Sequence, residues 1–181
     1  MFERIDTKDF KINPFTKIGT DKMLITAGDG CEFNTMTASW GTLGTLWNKA
    51  VLTAYIRHSR YTHAFAEKSD YATFSFFGGC ESPLKDCDVK KIFSLCGSKS
   101  GRDTDKISAC GLTPIHHPDG AVYFEEANLV IIGKKIYSSE ITAAGFADRH
   151  CLSFYSDYSN GDFHTSYVYE ITEILSKIDK T

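Results

Sequence analysis

Two polar stretches in the first third of the chain carry residue types suited to ligand binding. The first, residues 34–41, reads NTMTASWG. If this stretch is a strand, Thr35, Thr37 and Ser39 share one face, because side chains alternate along a strand. A row of hydroxyls beside free backbone groups suits a planar ligand with donors and acceptors along one edge. An ordinary barrel strand with one solvent-facing side explains the pattern equally well.

The second stretch, residues 57–62, reads RHSRYT. It follows a β-prone run over 49–56 and precedes a short helical pattern over 62–68, so Thr62 is predicted to cap the helix. Two guanidinium groups, the Ser59 and Thr62 hydroxyls and a helix N-terminus would then lie together, which is the chemistry of a phosphate site. The alternative is a capped helix beside two solvated arginines. Taken together, the two stretches indicate a phosphorylated planar cofactor.

The order of several motifs resembles the flavin reductase-like family, which includes the proteins called flavoredoxins. Those motifs are MLITAG at 23–28, the two stretches above, SGRDTDK at 100–106 and GLTP at 111–114. The resemblance implies a mainly β fold, the FMN-binding split β-barrel of Greek-key type with flanking helices. It also implies a homodimer with FMN held near the subunit interface.

On this resemblance, different residues are expected to hold the two ends of FMN. The residues expected to hold the isoalloxazine ring are Met36, Thr37, Ala38, Ser39 and Trp40. Those expected to anchor the phosphate are Arg57, Ser59, Tyr61 and Thr62. The loop at 100–106 adds Ser100 and Arg102 to the pocket, although an ordinary charged loop explains these two residues as well. One face of the ring should stay open for hydride or electron exchange.

The implied function is that of an FMN-binding oxidoreductase. It would pass electrons from NAD(P)H or a redox partner through FMN to a flavin, a metal complex or a protein acceptor. No G-x-G-x-x-G motif follows a strand, so a nicotinamide donor is expected to bind only transiently. His164 could orient a nicotinamide, but a lone histidine is more often structural or solvated. The alternatives are a non-catalytic flavin-binding or storage protein and a split barrel that has lost its cofactor.

The composition limits the other possibilities. With 181 residues, 42% of them hydrophobic, the chain is expected to form a single domain over residues 1–181. A formal charge of −3 gives no reason to expect nucleic-acid binding. No apolar run approaches a membrane span and the first residues are too polar for a secretory signal, so we expect a cytoplasmic protein without membrane contact. The six cysteines lack C-x-x-C spacing, which favours free thiols and no metal site.

Local patterns predict the secondary structure that positions these residues. Apart from the stretch around Thr37, β-prone runs predict strands at 23–27, 49–56, 71–77, 121–124, 129–132, 135–137, 151–155 and 166–174. Gly41 and Gly44 are expected to break the segment between the Thr37 strand and the next strand, so that it forms no strand of its own. The first 22 residues are expected to wrap the barrel, and residues 157–164 to form a loop.

Two further helices are predicted after the β-prone run at 71–77. One begins at Ser82-Pro83 and stops at Gly97, with its apolar stripe formed by Val89, Ile92, Phe93 and Cys96. A second, short helix ends at Cys110 and is expected to be capped by Asp103 or Thr104. Asp105 and Lys106 are expected to form a structural pair.

Overall fold

The structure is a computed structural model that describes residues 1–78, 84–155 and 162–177. Its strands are β1 (Phe2–Ile5), β2 (Met23–Gly28), β3 (Phe33–Ala38), β4 (Gly41–Leu46), β5 (Lys49–Arg57), β6 (Tyr71–Phe76), β7 (Pro114–His116), β8 (Val122–Phe124), β9 (Leu129–Glu140) and β10 (His164–Lys177). Its α-helices are α1 (Pro14–Gly19), α2 (Tyr61–Lys68), α3 (Asp86–Ser98) and α4 (Lys106–Cys110). Two 3₁₀ helices cover Ala143–Gly145 and Arg149–Phe154.

One antiparallel sheet organises the fold. Its strand order is β3-β2-β6-β9-β10-β5-β4, with β1 paired along β10 and a separate ribbon formed by β7 and β8. The long strand β10 pairs with β9, β5 and β1, and register shifts occur between Val168 and Tyr169 and between Ile171 and Glu173. Such irregularities increase the local twist and help a sheet to curl. The fold is the mainly β split barrel that the sequence indicated.

The hydrophobic core has two parts, one on each face of the sheet. The cluster inside the barrel includes Met23, Ile25 and Phe74, whereas Leu24 belongs to an outer cluster with residues of α3 and β8. Strand β2 is therefore buried on both faces, which explains why its sequence is a continuous apolar run rather than an alternating pattern. The predicted hairpin of β2 with β3 is confirmed, with Met23 opposite Ala38.

Three predictions about strands are wrong in ways that have physical reasons. Gly41 and Gly44 do not break β structure but lie within the strand β4, which pairs with β5 in continuous register. A Cβ atom at Gly41 would lie 3.0 Å from the Thr53 carbonyl oxygen, so the glycine permits close strand packing. The strands predicted at 129–132 and 135–137 are one strand, β9, which runs through Gly133. The strand predicted at 151–155 is instead a 3₁₀ helix, because the Asp148 carboxylate accepts the His150 amide and starts a helical turn.

The helix termini also differ from the predictions. Helix α2 begins at Tyr61 and its N-cap residue is Arg60, so Thr62 is not the cap. Helix α4 is capped by Asp105, whose side chain accepts the amides of Ile107 and Ser108, rather than by Asp103 or Thr104. Helix α3 ends at Ser98, one residue beyond the predicted stop. The predicted start at Ser82-Pro83 lies outside the described residues.

Other parts of the fold agree with the sequence patterns. Ile92, Phe93 and Cys96 of α3 are buried as its apolar stripe. In the first 22 residues, β1 extends the sheet along β10 and α1 packs near β4. No helix within the described residues is long and apolar enough to cross a membrane.

Candidate functional site

Strand β3 does not present the open row of hydroxyls that its sequence suggests. Thr35 is buried, and its hydroxyl donates to the Ile25 carbonyl at 3.2 Å and accepts from the Thr26 hydroxyl. The Thr37 hydroxyl donates to the Phe93 carbonyl of α3 at 2.7 Å. The Thr35 hydroxyl is bonded to β2 and the Thr37 hydroxyl to α3, so two of the three hydroxyls are used in internal contacts. What β3 offers to a ligand is therefore its end and its backbone, not a hydroxyl face.

A first cavity, which we call the strand cavity, lies at the end of β3. It has a volume of about 250 Å³ and is lined by Met36, Thr37, Ala38, Ser39, Trp40, Tyr55, Arg57, Arg60, Gly97 and His164. The five residues predicted to hold a planar ring thus come together with Arg57. Trp40 is 43% exposed, so part of its indole ring is accessible beside the cavity.

A second cavity, which we call the cationic cavity, lies next to the first. It has a volume of about 180 Å³ and is lined by Met36, Ser59, Arg60, Tyr61, Thr62, Ser98, Lys99, Ser100 and Lys106. The two cavities share Met36 and Arg60, so they are neighbours along β3. Four of the residues predicted at the ligand's phosphate or in the loop line this cavity: Ser59, Tyr61, Thr62 and Ser100. Arg102 lines neither cavity and instead places its guanidinium 4.4 Å from the centre of the Tyr61 ring.

Arg60 joins the two cavities and is held by the end of α3. Its guanidinium donates to the Gly97 carbonyl at 2.7 Å and to the Cys96 carbonyl at 3.3 Å. These carbonyls belong to the last turn of the helix, where the helix dipole favours a positive charge. Burial, and next the positive charge of Arg57, lower the pKa of Arg60.

Lys106 is the buried cation of the second cavity. It is the first residue of α4 and its side chain reaches back to donate to the Thr35 carbonyl of β3. Only 4% of the residue is exposed, and burial lowers the pKa of its ammonium group. The predicted Asp105–Lys106 pair does not form, since Asp105 caps the helix while Lys106 points to β3.

Within the described ranges, no carboxylate forms an ion pair with either Arg60 or Lys106. Burying a charge without a counter-charge is unfavourable, so buried cations in proteins are usually paired. Two adjacent buried or half-buried cations that line one cavity therefore form a site with a strong preference for an anion.

The Arg57 and Ser59 side of the predicted phosphate clamp contacts a carboxylate of the chain itself. Asp162 accepts the Ser59 amide at 2.9 Å and the Ser59 hydroxyl at 3.0 Å, and lies 3.6 Å from the Arg57 guanidinium. Burial alone would raise the pKa of Asp162, but the two bonds from Ser59 and the charge of Arg57 hold that pKa below its usual range. Arg57 also donates to the Phe154 carbonyl at 2.7 Å. Arg57 is thus paired with Asp162, whereas Arg60 and Lys106 have no carboxylate partner among the described residues.

Thr62 and Ser100 form part of the cavity wall. Thr62 is fully buried, and its hydroxyl accepts from the Asn34 side-chain amide at 2.7 Å. The Ser100 hydroxyl accepts the Arg102 amide at 3.2 Å. These bonds fix the loop after α3 and the start of α2 against β3, which keeps the cationic cavity in shape.

His164 is a buried wall residue of the strand cavity. Its Nδ1 atom lies 2.8 Å from the Tyr155 hydroxyl, and its ring centre lies 5.2 Å from that of Trp40. Burial, and next the charge of Arg57, lower the pKa of His164 to about 4. The imidazole is therefore neutral at physiological pH and its position is fixed by Tyr155.

The sequence placed the Arg60 guanidinium at the predicted phosphate site without naming Arg60 among the anchoring residues, and it did not select Lys106 or Tyr55. Arg60 directly precedes the helix start, and Lys106 directly follows the capping residue Asp105; either signal could have identified them. Tyr55 has no local signal, because an aromatic residue in a β-prone run is ordinary. Its place in the cavity depends on how β5 packs beside β3.

The cysteines take no part in a metal centre within the described residues, where no group of three or more potential ligands is suitably arranged. Cys31, Cys96, Cys110 and Cys151 are free thiols. Cys96 and Cys110 have their sulfur atoms 3.9 Å apart, and burial raises the pKa of Cys96 to about 12. A thiol with such a pKa is unreactive. Cys80 lies outside the described residues.

Comparison of the sequence with models of protein families shows to which family the chain belongs. The family model described as "Flavin reductase like domain" matches residues 15–174. The chain belongs to this family. None of the curated proteins with which the sequence was compared matches it.

Solved structures of this family share the fold at low sequence identity. An FMN-binding domain of a flavin reductases-like enzyme from Shewanella baltica OS155 is 13% identical with a TM-score of 0.64, covering 97% of this chain and 77% of that one. Flavoredoxin from Methanosarcina acetivorans is 16% identical with a TM-score of 0.65, and the match covers 95% of this chain and 77% of that one. A third structure is the NADH:FAD oxidoreductase SgcE6 of Streptomyces globisporus C-1027 in complex with NAD and FAD fragments. It is 14% identical with a TM-score of 0.59, and the match covers 87% of this chain and 75% of that one.

Proposed function

We propose that the chain binds FMN across the two neighbouring cavities and acts as an FMN-dependent oxidoreductase. The observation that carries the proposal is the charge of Arg60 and Lys106, which no carboxylate of the described residues pairs, in a cavity that adjoins the end of β3. In this arrangement the isoalloxazine ring lies in the strand cavity, against residues 36–40. The phosphate lies in the cationic cavity, where the guanidinium and ammonium groups supply the counter-charge.

The chemistry of the residues fits FMN at both ends. Helix α2 begins at Tyr61, and no side chain of the described residues caps its N-terminus. Its first amides are therefore suited to bind an anion beside Arg60. Ser100 and Thr62 bring hydroxyls to the same wall. At the other end, backbone groups of β3 and the exposed indole of Trp40 suit a flat heterocycle. The Shewanella baltica relative is described as FMN-binding, which supports the same cofactor.

Bound FMN would supply two-electron exchange, and the chain would hold and orient it. Trp40 and His164 border the strand cavity, and the Tyr155 hydroxyl keeps the neutral imidazole of His164 in place. A neutral imidazole can donate or accept one hydrogen bond without adding charge beside the ring. We propose NADH or NADPH as a transient electron donor, which the complex of the Streptomyces relative with NAD and FAD fragments supports.

We extend the proposal to a homodimer in the cytoplasm. The family resemblance is one support for the dimer. The other is the exposure of large apolar side chains outside the two cavities, among them Trp47 and Tyr137, whose ring centres lie 6.0 Å apart. Exposed aromatic residues are enriched at protein interfaces. The physiological acceptor would meet the open face of the ring.

Two lysine substitutions, one in the cationic cavity and one outside it, test the proposed phosphate site. We expect Lys106→Met to weaken FMN binding roughly tenfold or more, because a charge-assisted hydrogen bond to a phosphate is lost from a buried position. Lys68→Met is the matched control, since Lys68 is exposed at the end of α2 and lines neither cavity. The measurement is the quenching of FMN fluorescence on titration with each protein. Equal affinity of both variants and the wild type would contradict the proposed phosphate site.

A further inference from the structure

A third cavity adjoins the strand cavity and is not lined by Arg60. We call it the apolar cavity; it has a volume of about 530 Å³ and is bounded by α1, β4 and the end of β3. It shares Ser39, Trp40 and Tyr55 with the strand cavity. A molecule in the apolar cavity would therefore lie next to a ring held in the strand cavity.

The walls of the apolar cavity differ in chemistry from those of the cationic cavity. None of the residues that line the apolar cavity carries a charge, and Phe15, Ile18, Trp40 and Leu43 make much of its surface apolar. A nucleotide brings phosphate charges that need cations or helix termini, so this cavity does not suit one. The polar groups available are the hydroxyls of Ser39, Thr42 and Tyr55, which can donate to a carbonyl oxygen.

The position of Phe15 adds a further indication that the cavity receives an apolar molecule. Phe15 follows the N1 proline of α1 and is 86% exposed, although it lines the cavity. A ligand with a flat apolar body would cover this ring and the indole of Trp40 at once. Covering apolar surface in this way is the main favourable term for binding an uncharged ring compound.

We propose that the apolar cavity binds the electron acceptor and that this acceptor is an uncharged, planar carbonyl compound of the quinone class. The proposal rests on the proposed function, since the reducing equivalents come from FMN. Reduction of the bound quinone to its hydroquinone takes two electrons and two protons, both carbonyl oxygens becoming hydroxyls. Fully reduced FMN would supply the two electrons and the two protons and return to its oxidised form, and NAD(P)H together with one proton from solvent would reduce it again.

Binding of a quinone can be measured without any flavin present. The chain has two tryptophans, so in the Trp47→Phe variant Trp40 is the only one and its fluorescence reports on the shared wall. Duroquinone is a suitable probe, because its fully substituted ring has no free position for addition of exposed thiols such as Cys31. We expect saturable quenching of Trp40 by duroquinone in the flavin-free full chain. AMP, which is charged, should compete poorly.

A pair of aromatic substitutions in the Trp47→Phe background locates the site. We expect Phe15→Ala to weaken duroquinone binding about fivefold, the effect of one lost aromatic contact. Phe154→Ala is the matched control: its ring is also exposed and lies against Trp40, with ring centres 5.7 Å apart, but it does not line the apolar cavity. This control should bind duroquinone as the parent does.

The outcomes separate this inference from the proposed function. Quenching that rises linearly without saturation, or that is equally changed by Phe15→Ala and Phe154→Ala, overturns the acceptor site even if the protein retains FMN. Saturable quenching sensitive to Phe15 alone supports the site. If such quenching occurs in a protein that does not bind FMN, the cavity assignment holds and the proposed function fails.

Discussion

His164 is a buried histidine whose protonation should weaken the fold. Its pKa of about 4 in the folded protein lies below the ordinary value of 6.5, so the unfolded chain takes up the proton first as the pH falls. The contribution of this depressed pKa to the free energy of unfolding is therefore complete above about pH 6.5 and is lost as the pH falls towards 4. Between pH 7.5 and pH 5 we expect His164 to account for a loss of about 2 kcal/mol in the free energy of unfolding.

Urea unfolding of the wild type and of His164→Asn at these two pH values measures that contribution. Asparagine can keep a hydrogen bond with the Tyr155 hydroxyl but does not titrate. The wild type should lose about 2 kcal/mol more than the variant on going to pH 5. Other groups, including His63, whose pKa is also lowered first by burial, are common to both proteins. Equal losses in the two proteins would show that His164 is not the group responsible.

At the same scale, sequence reasoning found residue types more reliably than their partners. The stretch over residues 36–40 and Arg57 do meet around one cavity. The contact of Asp162 with Ser59 joins residues far apart in the chain, and nothing local in either segment predicts it. The same is true of the bond from Lys106 to the Thr35 carbonyl, which depends on α4 packing against β3.

Among the elements, the loop between α3 and α4 has the tightest contact with the candidate site. A Cβ atom on Gly101 would lie 2.0 Å from Asn34 Oδ1 and 3.2 Å from the Tyr61 ring. Asn34 is itself buried and bonded to Thr62, so it has little freedom to move. We expect Gly101→Ala to lower the free energy of unfolding by about 1–3 kcal/mol through overpacking and to weaken FMN binding.

Gly19→Ala is the control for that substitution. Gly19 is the last residue of α1, and a Cβ atom there would have no neighbour within 4 Å. The change should be neutral or should stabilise the protein by less than about 1 kcal/mol. Thermal unfolding and an FMN titration of both variants check the pair. If Gly101→Ala were as stable as Gly19→Ala and bound FMN normally, the loop would not pack as described.

The elements that sequence patterns predicted best are those with a strong local pattern, either periodic or continuously apolar. Strands β2, β3, β5 and β6 and the apolar stripe of α3 agree with their patterns. The errors lie where tertiary pairing overrides local preference, as in β4, which contains two glycines yet is held by β5. The helix caps at Arg60 and Asp105 were misplaced because several neighbouring polar residues could each have served as the cap.

At the scale of the whole molecule, the barrel interior contains two tyrosines that differ in one respect. Tyr167 donates its hydroxyl to the Glu67 carboxylate, whereas the buried hydroxyl of Tyr169 has no hydrogen-bond partner among the described residues. An unsatisfied buried hydroxyl is unfavourable, and a bond to a carboxylate is favourable. We expect Tyr169→Phe to raise the free energy of unfolding by about 1 kcal/mol and Tyr167→Phe to lower it by about 2 kcal/mol.

Urea denaturation midpoints of the two variants, with unchanged slopes, measure these opposite effects. Each variant serves as the control for the other, because both remove one oxygen atom from a fully buried tyrosine. A loss of stability in Tyr169→Phe as large as that in Tyr167→Phe would mean that the Tyr169 hydroxyl is bonded in solution.

The three cavities form a series along the end of β3. Met36 and Arg60 connect the cationic cavity to the strand cavity, and Ser39, Trp40 and Tyr55 connect the strand cavity to the apolar one. Charge is thus concentrated at one end of the series and absent at the other. We infer that a phosphate, a planar ring and an uncharged second molecule would follow one another in this order.

The most direct measurement is the visible absorption spectrum of the purified chain after incubation with FMN and desalting, followed by anaerobic addition of NADH or NADPH. We expect a retained flavin band that bleaches with one of the two nucleotides. A retained band that neither nucleotide bleaches would keep the binding site but favour a storage role or a protein donor. A spectrum without any retained flavin would contradict the central claim that the paired cavities hold FMN.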